Sequence, residues 1–130
     1  MKLIELLQAQ MPLKRLTEKN FNNYKVLRDL AKLRKAVDAE VEFYTEQERK
    51  AVQLYADKDD KGQPVVLADG RLKLKDIEAK NAFDDELTKL RALDVDGISK
   101  VVVQESDFRS SVDYPTSDEM LALECVIDFN

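Results

Sequence analysis

The sequence predicts an α+β fold that is mostly α: a long helix in an antiparallel helical hairpin, with a small β element and short terminal helices. Three observations carry this. Asn22–Asp57 holds neither Gly nor Pro and keeps one apolar stripe for about nine turns. A second stripe at helical spacing runs from Ile77 to Ala92. Short β-branched runs, each bounded by a glycine, lie between and after them. A chain of 130 residues is enough for one modest core, so residues 1–130 are expected to form a single domain.

Taken in order, Leu3, Ile4, Leu6, Leu7 and Met11 have helical spacing until Pro12. A proline inside a helix loses a backbone hydrogen bond and clashes with the preceding turn, so a short first helix should stop near Gln10. Leu13 and Leu16 should then pack beneath the next element. Asn20–Asn23 offers N-cap residues for the long helix. Its stripe is Val26, Leu30, Leu33, Val37, Val41, Tyr44, Ala51, Val52 and Tyr55. Glu48 interrupts that stripe, at the angle of Leu30, and needs a compensating cation such as Arg49 or a cross-helix Lys. Phe43 and Leu54 lie on a flank about 90° away, a second apolar surface that implies a second neighbour.

Asp57, Asp59 and Gly62 match part of a calcium-loop spacing, but Lys61 and Ala68 occupy ligand positions, so the segment reads as a helix stop and turn. Val65–Leu67, Asp69-Gly70 and Arg71–Leu74 read as a hairpin. Asp76 is the expected N-cap of the Ile77–Ala92 helix, whose stripe is Ala79, Phe83, Leu87 and Leu90. Ile98–Gln104 is the best strand and is expected to pair with the hairpin. Ser106–Pro115 looks irregular. Thr116 and Glu119 have capping-box spacing before a short helix, and Cys125, Val126, Ile127 and Phe129 form an apolar tail, with Cys125 a buried small hydrophobe.

Composition narrows the chemistry. There is no His, which removes the commonest general base and zinc ligand, and one Cys cannot form an intrachain disulfide. No P-loop, glycine cluster, Cys-x-x-Cys or nucleophile elbow occurs. No catalytic residue, cofactor, metal or small-molecule substrate is therefore expected. No apolar run approaches the ~20 residues of a membrane span, which predicts a soluble cytoplasmic protein. The net charge of −5 hides a split. Residues 11–35 carry eight basic side chains against Glu18 and Asp29, and residues 101–130 carry Arg109 against seven acids. The expected use of this asymmetry is that the two ends face each other, rather than that the basic end binds nucleic acid.

The order of elements resembles a family of short uncharacterised proteins encoded by phages and prophages of Gram-positive bacteria. The resemblance is carried by Glu46-Gln47-Glu48-Arg49 leading to Ala56-Asp57-Lys58-Asp59, by the FDDELTKL segment, and by the closing Leu121-Ala122-Leu123-Glu124. Ala56 stands where that family tends to carry Gly, and Cys125-Val126 where it tends to carry an aromatic. The resemblance implies a phage-encoded protein in a bacterial cytoplasm or virion, and no activity.

The long helix outruns its partner helix. The rest of its stripe, around Val26–Val37, must be buried by the N-terminal helix, by the C-terminal tail or by another subunit, and Val26, Leu30, Leu33 and Val37 are the expected association face for a protein partner, most simply another copy in a homo-oligomer. The expected function is a non-enzymatic assembly or interaction protein. The alternatives are a regulatory or inhibitory protein that binds a host or phage factor, and a nucleic-acid-binding accessory using residues 11–35.

Overall fold

In the computed structural model, which describes residues 1–130, Pro12 does not end the first helix. Helix α1 runs Leu3–Thr17 with the proline inside it. The expected stop at Gln10 fails for an energetic reason. A proline costs about 3 kcal/mol in a helix interior, while each fully buried Leu stabilises by roughly 1.5–3 kcal/mol. Leu3, Leu6, Leu13 and Leu16 are all essentially inaccessible to solvent, and Pro12 itself is buried on the same stripe. Met11, one step round the helix, is exposed.

Helix α2 covers Tyr24–Tyr55, α3 covers Ile77–Arg91 and α4 covers Ser117–Leu123. Their starts follow the expected caps. The Asn23 side chain accepts from the Lys25 and Val26 amides, Asp76 accepts from the Ala79 amide at 2.7 Å, and Thr116 exchanges hydrogen bonds with Glu119. Each cap satisfies amides that the first helical turn leaves without partners.

The fold is mostly helical with one two-stranded sheet, and that sheet is parallel. Strand β1, Val101–Val103, pairs with β2, Ile127–Phe129, with Val102 opposite Asp128. This corrects the expected pairing of the Val-rich strand with the hairpin. Parallel strands need a crossover of a dozen or more residues. Residues 104–126 supply it with two 3₁₀ turns and α4. The Val65–Leu74 hairpin is present only as isolated bridges, joined by Lys73 N–H to the Val65 carbonyl and Leu67 N–H to the Arg71 carbonyl, and turned at Gly70 with φ +85°.

The chain divides into two compact units. Unit 1 combines Met1–Val41 with Asp94–Asn130. Here α1 lies against α4, the Gln10 side chain donates to Asp38 of α2, and the Thr17 hydroxyl accepts from Arg34 of α2. Phe21 and Phe108 stack with ring centroids 4.7 Å apart, and Tyr114 meets Phe108 edge-on. The segment expected to be irregular is thus anchored in the core. Asp107, nearly inaccessible, accepts from the Gln104 amide and the Asn23 side chain, while its carbonyl accepts from the Asn22 amide. Unit 2 is Glu42–Leu93: the last part of α2, the bridged turn segment and α3. Its buried apolar residues are only Tyr44, Ala51, Ala56 and Leu87.

Candidate functional site

The association face read from the sequence is covered within the chain. Leu30 and Val37 are inaccessible, Leu33 is 5% exposed and Val26 is half-buried. The stripe expected to await a partner is part of the core of unit 1, because α1 is a full-length helix rather than a short one and reaches Asp38 through Gln10. Leu30 and Val37 therefore present no docking surface, while Val26 and Leu33 border a groove shared with segment 97–102. Val41, on the same stripe, is only half-buried.

The exposed apolar surface lies in unit 2. Phe43, Ala51 and Leu54 of α2 share one side of the helix with Gln47 and Lys50, at the i, i+4, i+7, i+8, i+11 spacing of a single face. Leu87 and Leu90 of α3, followed by Leu93, line the other wall with Glu86 and Lys89. Together they make a groove of about 370 Å³. Ala51 and Leu87 form its buried floor, while Phe43, Leu54 and Leu93 remain 45%, 57% and 44% exposed on its walls. Neither Lys50 nor Lys89 has an ion-pair partner. The flank on which Phe43 and Leu54 lie was legible in the sequence; what lay across from it was not.

Polar contacts hold the two helices in place around this groove. The Tyr44 hydroxyl donates to the Glu48 carboxylate at 2.7 Å and accepts from the Arg91 guanidinium at 3.1 Å. Burial, foremost, and the bond to Glu48 push the Tyr44 hydroxyl pKa up. The carboxylate interrupting the stripe is therefore answered by a tyrosine one turn earlier, not by Arg49, which pairs with Glu46 instead. The Tyr55 hydroxyl donates to Glu86 at 2.8 Å, which raises its pKa, and its ring meets Phe83 edge-on.

The calcium-like segment is a turn. Asp59 accepts from the Lys61 and Gln63 amides, and Gly62 follows with φ +76°. No three acidic or thiol side chains come together in metal-binding geometry. Cys125 is half-buried rather than fully buried. Its thiol donates to the Glu5 carbonyl, and burial, then the nearby Glu5 charge, pushes its pKa up. The groove thus offers apolar side-chain slots and two ammonium groups, a chemistry of binding. No helix is long and apolar enough to cross a membrane. The chain matches no family model, no curated protein and no solved structure.

Proposed function

We propose that this chain is a non-enzymatic protein-interaction module that captures an amphipathic helix with an acidic flank in the unit 2 groove. The last part of α2 and α3 act as an antiparallel helical hairpin. Supporting this are Tyr55 with Phe83 and Glu86 at one end, and Tyr44 with Arg91 at the other. The observation that carries the reading is an imbalance. Unit 2 buries four apolar residues yet leaves Phe43, Leu54 and Leu93 exposed along this one groove. Contiguous exposed apolar surface rimmed by polar groups marks an interaction site, and a groove between helices takes the apolar face of a third. Lys50 and Lys89 favour carboxylates beside that face. On the resemblance of its turn and cap patterns, the setting is a phage-encoded protein in a bacterial cytoplasm.

The test is a photo-crosslinking residue placed at Leu54, and separately at Leu93, in protein expressed in a Gram-positive host. Adducts are mapped by mass spectrometry. The expected adduct is a peptide with apolar residues at i, i+3, i+4 and i+7 and acids beside them, and it should disappear with Leu90→Glu. An adduct only with a second copy of this chain would replace the reading with homo-oligomer formation through the same groove. Absence of any protein adduct would refute both.

A further inference from the structure

Unit 1 carries a second, chemically different surface. Segment 97–102 and the first part of α2 enclose a groove of about 630 Å³ lined by Lys25, Lys32 and Leu33 on one side and Lys100, Val101 and Val102 on the other. One wall is an open strand edge. The Val101 amide donates to the Val126 carbonyl, and the Asn130 amide donates to the Val103 carbonyl, so residues 101 and 103 of β1 face β2. Backbone groups alternate in direction along a strand, so Lys100 and Val102 direct their N–H and C=O groups to the opposite edge. That edge ends at Gln104, whose amide is taken by Asp107.

The charges of this groove are unbalanced. Lys25, Lys32 and Lys100 have no ion-pair partner, and Asp29 is the one acid among the lining residues. The expected mutual neutralisation of the basic and acidic ends is realised by a single ion pair, Arg15 with Glu119 at 4.0 Å. The basic charge on α2 is therefore left available beside a strand edge.

We infer that this groove binds an extended acidic peptide, which adds a strand to the open edge of β1 and places its carboxylates against Lys25, Lys32 and Lys100. Main-chain hydrogen bonds at Lys100 and Val102 supply affinity, and the lysines select side-chain charge. An extended strand advances about 3.3 Å per residue and α2 about 1.5 Å. Lys25 and Lys32, seven residues apart, are thus spanned by three to four strand residues. The site is independent of the unit 2 groove, and either can fail without the other.

The test uses a capped ten-residue Glu-Val repeat, a Lys-Val repeat of the same length and a ten-residue thymidine oligonucleotide, each titrated into the full chain by fluorescence anisotropy at low and physiological salt. Amide shifts are followed by NMR. The Glu-Val peptide should bind best, weaken with salt, and shift the Lys100 and Val102 amides. Lys32→Glu with Lys100→Glu should weaken it at least tenfold while the melting curve stays unchanged. Val102→Pro, tolerable because its N–H faces away from β2, should weaken it with the charges intact. Equal binding of both peptides, unchanged affinity in the charge-reversed variant, or no binding of the Glu-Val peptide would overturn the inference. Tighter binding of the oligonucleotide would overturn it in favour of a nucleic-acid surface.

Discussion

Replacing Asp107 tests the least expected part of the fold. The residue is 7% exposed and its carboxylate accepts two hydrogen bonds, from the Gln104 amide at 2.8 Å and the Asn23 side chain at 3.0 Å. Hydrogen bonds to a charged group contribute about 1.5–3 kcal/mol each when well buried. Gln104 and Asn23 are themselves exposed, so water can replace part of what Asp107→Ala removes. The lower end of the range therefore applies, giving about 3 kcal/mol in total. The loss is amplified locally because Asn23 also caps α2. Asp107→Asn keeps one acceptor and should cost about half as much. Against a total of roughly 5–15 kcal/mol, these steps are resolved in urea melts followed by circular dichroism. Lys35→Ala, exposed and unpaired, is the reference and should stay within about 0.5 kcal/mol of the parent. An Asp107→Ala protein as stable as the Lys35→Ala protein would show that residues 104–108 are not the anchor described above.

Four further outcomes are expected. Leu87→Ala, which truncates the buried floor of unit 2, should cost about 2–4 kcal/mol in denaturant melts, whereas Val41→Ala at a half-buried position should cost about 1 kcal/mol or less; equal losses would contradict the burial assigned to them. Cys125 should alkylate with iodoacetamide more slowly than a short cysteine peptide at neutral pH, because a raised pKa leaves less thiolate, and the gap should close as pH rises; peptide-like reactivity at neutral pH would count against the assigned burial. Gly70→Ala should cost about 1 kcal/mol through its φ of +85° alone, since a Cβ there meets nothing within 4 Å; a stability gain would argue against that turn. Tyr44 has a folded-state pKa above the ordinary 10.0, so its contribution is complete below pH 10.0 and lost as pH rises through the folded value. Tyr44→Phe should flatten that alkaline limb of the stability profile, and an unchanged limb would place the titration elsewhere.

The helices were legible because their signals are local and repeated. The stripe of α2, the Asp76 cap and the Thr116–Glu119 box each depend on residues within one or two turns of one another, and each is found where the spacing put it. Pro12 misled because a local penalty was weighed without the four buried leucines that outweigh it. The β1–β2 pairing was hidden because Ile127–Phe129 is three residues long and its partner lies 26 positions earlier in the register. Phe108 gave no sign of meeting Phe21, since nothing in the spacing of two aromatics so distant reports a stacking contact. The unit 2 groove was half legible. Phe43 and Leu54 stood out as a second flank, but the stripe that looked unpartnered, Leu30 to Val37, was the one the chain covers itself.

The discontinuity of unit 1 has a consequence for the protein on the ribosome. The sequence of unit 2, Glu42–Leu93, is translated in full before any of Asp94–Asn130 exists. Leu3 and Leu6 emerge before it, yet Val103 and Ile127, which close the same unit, are made after it. At ~5–20 residues per second, that leaves the leucine face of α1 without its distal partners for about 6–25 s. Its interim cover is the first part of α2, held by the Gln10–Asp38 and Arg34–Thr17 contacts. Weakening those two contacts should therefore lower the yield of soluble protein in cells more than it lowers the equilibrium stability of the finished chain. The nascent chain would then depend on a chaperone for the interval that Gln10 and Arg34 now bridge.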